Sequence, residues 1–295
     1  VFFIVALIAT IAYATQGTLM ASYYRSMDQL SAVAYRGLSL GVSMIPLLLF
    51  VPSGEFAHVP SFAGSIVVAA VCAALGNLYI ARAFCDLPIG IATGMAMSCA
   101  AILTGVLGFV LLGEVLTSHQ IFFSALILVT LTMLGMTRSG GTIPTNYNIR
   151  KGIVNCLLFG VFLGSAYSFV GMTSRSLHPF LVGYLWEFTI GIIAALMAVS
   201  RTFVGGPSLT IPKKRDLLKI TLYSSPTAIG TGLYALSMTM GPIGIATAII
   251  STMMLFNTVF AAFLYGEKLS VKQWALLVLV CGAVIGLKLS SPSSP

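Results

Sequence analysis

Apolar runs close to 20 residues long recur down the whole chain, each closed by a short polar stretch. A helix of that length crosses a bilayer core of roughly 30 Å. Only 7% of the 295 residues are charged and 58% are hydrophobic, against about a quarter charged in ordinary soluble domains. These features predict an all-α integral membrane protein with ten transmembrane helices, at about 2–22, 30–51, 61–82, 88–112, 118–136, 151–171, 179–200, 217–237, 242–265 and 270–289. Barrel strands are disfavoured, because they need only about ten alternating residues. The first run lacks a basic leader and exceeds a typical signal core, so it reads as a true span.

The hexapeptide PIGIAT occurs twice, at 88–93 and 242–247, and the likeness continues through 88–120 and 242–274. Thr117 and Ser270 each precede a Gln by three residues (Gln120 and Gln273), the spacing of a capping box at a helix start. Between the copies, the polar, Gly- and Pro-containing stretch 137–150 marks a boundary. The reading is a first five-helix repeat at 1–136, a linker loop at 137–150 and a second five-helix repeat at 151–295. Five is odd, so the second repeat enters the membrane the other way up. That gives two inverted-topology repeats, a plan common among secondary transporters.

Basic residues test this independently. Loops after odd-numbered helices hold twelve Lys and Arg, and those after even-numbered helices, with the C-terminus, hold two. By the positive-inside rule the odd loops are cytoplasmic and both termini lie outside. The inner (plasma) membrane is the favoured location. The same distribution accounts for the net charge of +8 without a nucleic-acid partner. Five cysteines without paired spacing read as packed thiols.

The hairpin ending Gly-Glu-x-Leu-(Ser/Thr), then a polar residue and Gln, resembles the EamA-type unit of the drug/metabolite transporter superfamily. The first helix pair, AYATQGTLMASYYRSMDQLSAVAYRG, is similar too: Tyr13-Ala14 stands near the family's usual Trp-Gly, and Arg36 matches its Arg early in the second helix. The resemblance covers nearly the whole chain and implies ten helices and transport. It departs in two ways: Tyr13 replaces the Trp, and ten-helix members are generally described with both termini in the cytoplasm.

Only Arg36 and Glu187 place charges well inside spans. Ionisable groups there are costly and usually face a cavity or a partner. Aligning LSAVAYRG with LVGYLWEF sets Tyr35 opposite Trp186 and Arg36 opposite Glu187. Each charge lies about 10 Å from its own face at 1.5 Å per residue. A similar axial gap is expected between them, bridged in part by the side chains and for the rest by a zwitterionic ligand. The bland alternative has Arg36 capping carbonyls or anchored to headgroups, and Glu187 protonated and packed.

Polar stripes add candidates: Tyr13 and Gln16 in helix one, Asn77 and Tyr79 in helix three, Thr227, Thr231 and Tyr234 in helix eight, and Thr247, Ser251, Asn257 and Thr258 in helix nine. Hydroxyls and amides also tie membrane helices together, so each has a structural alternative. The substrate-binding set is Tyr13, Arg36, Asn77, Tyr79, Trp186, Glu187, Thr231, Tyr234 and Asn257. Pro88, Gly90, Pro242 and Gly244 open helices four and nine, where Pro loses no helical bond, and form the hinge or gate set. Glu114 and Glu267 end equivalent helices and suit interfacial or gate-lining roles. GxxxG pairs at Gly37/Gly41, Gly90/Gly94, Gly160/Gly164 and Gly282/Gly286 suit close helix contact, the last also a dimer seam.

The leading expectation is a secondary transporter that moves a small organic metabolite by alternating access, with an amino acid or related amphipathic solute favoured. A channel or lipid scramblase is the alternative. A membrane enzyme fits less well: His58, His119 and His178 occupy separate loops and no HExxH motif occurs. No GxxxxGK(S/T) fingerprint for ATP is present either. No cofactor or metal is expected. The expected partners are the substrate, the lipid bilayer and a coupled proton or counter-substrate, with monomer and homodimer both open.

Overall fold

The computed structural model describes residues 1–87, 89–136, 148–265 and 270–290. Pro88, Glu267 and most of the 137–150 linker therefore lie outside the described residues. Those described form eleven α-helices: α1 (Phe2–Ser26), α2 (Gln29–Ser43), α3 (Val59–Asp86), α4 (Ile89–Leu112), α5 (Ser118–Met136), α6 (Ile149–Ser174), α7 (Pro179–Phe203), α8 (Lys214–Met240), α9 (Ile243–Ser251), α10 (Met253–Tyr265) and α11 (Val271–Ser290). Two 3-10 turns, Ile45–Phe50 and Ser53–His58, join α2 to α3, and no strand occurs among the described residues.

Seven segments are long and apolar enough to cross a membrane, and Ser118–Met133 is a shorter apolar helix. Two expected spans end differently. The run 30–51 is helical only to Ser43 and continues as a 3-10 turn. Pro46 supplies the reason: it has no N–H for the i−4 carbonyl, and its ring clashes there. The run 242–265 is interrupted at Thr252, whose amide and hydroxyl both bond the Ile249 carbonyl, at 3.0 and 2.6 Å. That tight turn splits the expected ninth helix into α9 and α10.

Local chemistry sets the other helix ends. Thr117/Gln120 and Ser270/Gln273 form their capping boxes, each Gln side chain accepting from the backbone amide three residues earlier at 2.9 and 2.8 Å. Asp28 caps α2 through the Ser31 amide at 2.9 Å and takes a two-pronged ion pair from Arg201 at 2.9 Å. Burial pushes the Asp28 carboxyl up, but the bonds from Arg201 and Ser31 outweigh it and hold it below the ordinary carboxylate value. Inside α8, Pro226 leaves the Leu222 carbonyl without its i+4 amide, and the Ser225 hydroxyl occupies it at 2.9 Å.

The order of contacts gives the direction of each helix pair. Phe2 lies against Gly241, Tyr13 meets Thr231 and Tyr23 meets Tyr223, so α1 and α8 run antiparallel. Gly37 touches Gly191, Gly41 faces Phe188 and Gly183 faces Met44, so α2 and α7 do too. Tyr79 stacks on Phe162 and Asp86 accepts from Asn155, which makes α3 and α6 a third such pair. Gly108 against Ile243, Met97 with Ser251 and Thr93 with Asn257 make α4 antiparallel to α9 and α10.

Small residues allow this density. A Cβ on Gly37 would lie 2.5 Å from the Gly191 backbone, so the two helices touch without a side chain between them. Gly160 makes room for the Cys99 side chain of α4 and Gly164 for the Ala100 carbonyl, Gly286 faces Phe123, and Gly282 faces nothing within 4 Å. All five cysteines are free, and no metal-holding cluster occurs among the described residues.

Candidate functional site

Arg36 and Glu187 meet directly. Arg36 Nη1 and Nη2 donate to Glu187 Oε2 and Oε1 at 3.1 and 3.3 Å, with relative exposures of 4% and 2% for the two residues. The expected axial gap is therefore closed by the side chains alone, because α2 and α7 cross at Gly37/Gly191, one residue from Arg36 and one turn from Glu187. Two charges taken out of water need each other and further hydrogen bonds to be tolerated. Glu187 gains a third donor in the Thr231 hydroxyl at 2.9 Å, and Thr231 pairs with the Tyr13 hydroxyl at 2.9 Å. Arg36 Nε is buried and has no hydrogen-bond partner among the described residues.

Aromatic rings wall this network on one side. Tyr234 hydrogen-bonds Thr247 at 2.7 Å, and its ring stands edge-on to Tyr167 and Tyr13, at 4.8 and 6.1 Å between centroids. Tyr167 also stands edge-on to Trp186 at 5.9 Å, whose indole N–H reaches the Ala69 carbonyl at 3.4 Å. Such edge-to-face packing is directional and stabilises the cluster beyond its area.

A cavity of about 70 Å³ adjoins the ion pair, lined among others by Tyr13, Gln16, Tyr24, Asn77, Tyr167 and Trp186. Small-molecule sites usually measure roughly 300–1,000 Å³, so a metabolite here requires the walls to part. A larger hollow of about 510 Å³ lies between α4, α5 and α9. Its walls are nearly all apolar, including the exposed Ile102, Val106 and Phe109. It suits hydrocarbon, and the smaller cavity holds the chemistry.

The sequence model of the EamA-like transporter family matches the chain twice, over residues 2–136 and 150–289. The chain belongs to the EamA-like transporter family. One solved crystal structure shares the fold, with a TM-score of 0.71 at 15% identity, over 97% of this chain and 99% of that one. No curated protein sequence matches it. This EamA-like protein is a multi-pass integral membrane protein of a transporter family, a class defined by a small solute and a bilayer rather than by catalysis.

Within this EamA-like fold, Tyr13, Arg36, Asn77, Trp186 and Glu187 all line the cavity. Thr231 stands behind Glu187 and Tyr234 behind Tyr13, one layer back from its surface. Two expected residues are placed elsewhere. Tyr79 is stacked on Phe162 at 5.7 Å with Arg82 over its ring, because it projects from the face of α3 that packs on α6. Asn257 accepts from Thr18 at 3.0 Å and donates to Thr93 at 3.4 Å, which spends its amide on tying α10 to α1 and α4. Of the hinge set, Pro242 caps α9, Gly244 lies against the Gly105 backbone and Gly90 sits in α4. Tyr24, Met97, Tyr167 and Met253 line the cavity without having been expected there. Only Tyr167, an aromatic between serines in mid-span, carried any signal.

Proposed function

We propose that the protein is a secondary transporter that carries a small zwitterionic or amphipathic metabolite, an amino acid being favoured, by alternating access. The buried Arg36–Glu187 pair beside the cavity carries this reading. A substrate carboxylate would take the guanidinium and a substrate ammonium the carboxylate, so that each group exchanges one partner for another without standing unpaired in a low-dielectric site. The free Arg36 Nε offers an added donor to the incoming carboxylate. Glu187 is also the group on which a coupled proton would ride, and a counter-substrate is the alternative driving solute.

The antiparallel pairs α1/α8, α3/α6 and α2/α7 support two five-helix repeats inserted in opposite senses, with α2 and α8 crossing the membrane as well. Exchanging the halves turns α1/α8 into α6/α3 and returns α2/α7 to itself, as a two-fold axis in the membrane plane requires. In this reading 137–150 links the repeats, the odd-numbered loops are cytoplasmic in the plasma membrane, and the openings of α4 and α9, including Pro88, Gly90, Pro242 and Gly244, are the pivots.

The test is transport by purified protein in liposomes preloaded with amino acids, sugars, amines or phosphorylated metabolites. Saturable uptake accelerated by internal substrate is expected for the right class, and Arg36→Ala and Glu187→Gln should each abolish it. Uptake that does not saturate would point to a channel. Unaltered uptake in both variants would remove the ion pair from the site.

A further inference from the structure

Each half ends its first helix with an Arg-Ser pair, Arg25-Ser26 closing α1 and Arg175-Ser176 following α6. The two arginines do the same thing. Arg25 Nε donates to the Phe84 carbonyl at 3.0 Å and Arg175 Nε to the Met238 carbonyl at 3.2 Å. Phe84 and Met238 occupy one position in the repeat, each four residues before the proline of PIGIAT. Because α3 and α6 are antiparallel, the arginines stand at opposite ends of the bundle.

Arg175 makes further contacts. Arg175 Nη2 donates to the Gly241 carbonyl at 3.1 Å and forms an ion pair with Glu114. The same carboxylate accepts from the Ile243 amide at 3.0 and 2.9 Å. Glu114 thus joins the end of α4, the end of α6 and the start of α9, where a carboxylate suits the free amides of the helix N-terminus. The carboxylate matched to Glu114 in the other half, Glu267, lies outside the described residues. The central cavity extends toward one end only. Toward Arg25 the central cavity reaches Tyr24 and Phe84. Toward Arg175 the fully buried Tyr234, bonded to Thr247, fills the way.

From this network at one end and the reach of the cavity toward the other, and resting on the alternating-access reading, we infer that Glu114, Arg175 and the α9 N-terminus form the clasp that seals one membrane face. It is fastened in this conformation, and substrate enters from the Arg25 end. Glu114 and Arg175 are positioning residues: they do not touch the solute, and they set which face the site opens to. Releasing the clasp frees the α9 start, to which Tyr234 is tied through Thr247.

The test is accessibility, read without any substrate. Gln16→Cys places one cysteine in the cavity wall, the five native cysteines being removed, and a membrane-impermeant maleimide is applied from either face of sealed vesicles. Labelling chiefly from the Arg25 face is expected. Glu114→Gln and Arg175→Gln, which keep a polar side chain at each position, should each raise labelling from the 113–119 face by tenfold or more and lower it from the other. Unchanged rates in both variants, with normal melting behaviour, would overturn the clasp and leave alternating access intact. Equal labelling from both faces in the parent would overturn both. A disulfide between cysteines at 114 and 175 guards against misfolding. Oxidised, it should hold the 113–119 face closed under all conditions, and reduction should release it; labelling from that face despite the cross-link would also overturn the proposal.

Discussion

Glu187 accepts both a guanidinium fork from Arg36 and a hydroxyl from Thr231, so its two oxygens are held by two different helices, α2 and α8. Removing one partner of such a pair leaves a buried charge uncompensated, at about 3–5 kcal/mol. Arg36→Met and Glu187→Leu are each therefore expected to destabilise the detergent-solubilised protein by that amount. The double variant Arg36→Met/Glu187→Leu should recover most of it, since apolar replacement of a whole buried pair is often neutral. Chemical denaturation of the four proteins of the cycle measures this; additive losses would mean that the pair is not coupled.

The Gly37–Gly191 crossing tolerates no methyl. Gly37→Ala and Gly191→Ala each force a Cβ to within about 2.5 Å of backbone and should lower stability by about 1–3 kcal/mol. Gly282→Ala, whose Cβ would meet nothing within 4 Å, should change it by less than about 0.5 kcal/mol. Thermal melts of the three variants side by side decide the ranking. A large effect at Gly282 would point to the dimer seam that its GxxxG spacing suggests.

Ser225 and Pro226 act as a unit. Ser225→Ala strips the Leu222 carbonyl of this hydroxyl bond and should cost about 1 kcal/mol, more where lipid rather than water surrounds it. Pro226→Ala in the same chain restores the i+4 amide and should suppress the loss. If Ser225→Ala is silent, lipid-exposed carbonyls in α8 are satisfied by other means.

Asp28 has its carboxyl held down by Arg201 and Ser31 against the upward pull of burial. A group whose folded pKa is lowered contributes stability that is fully present above its unfolded pKa, about 3.9, and fades as pH falls through the lowered folded value. Melting curves of the parent and Asp28→Asn should therefore stay a constant distance apart from pH 7 to 5 and converge below about pH 4. A gap that closes already between pH 7 and 6 would assign the effect to another group.

The all-helical, membrane-spanning fold was legible because apolar run length and scarce charge admit few alternatives, and the capping boxes formed at Thr117 and Ser270 as their spacing requires. Arg36 and Glu187 stood out for the same reason, since a charge inside an apolar run has few uses. Their direct contact was not legible: depth along a helix says nothing of how closely two axes cross, and that depends on Gly191, which no motif singled out. Tyr79 and Asn77 looked equivalent in sequence, yet two residues along a helix is 200° of rotation, enough to send one to the cavity and the other to α6. The break at Thr252 carries neither Gly nor Pro. The stop after Ser43 did have its signal, in Pro46.

That break has a mechanical consequence. A continuous helix transmits a tilt from one leaflet to the other through its ladder of i+4 bonds, and the ladder is cut at Thr252. The leading segment, held by Glu114, and the trailing one, moored through Asn257 to Thr18 and Thr93, are therefore not tied into one rigid rod. Its counterpart α4 has no such joint, so matched positions of the two halves hold an articulated rod and a stiff one.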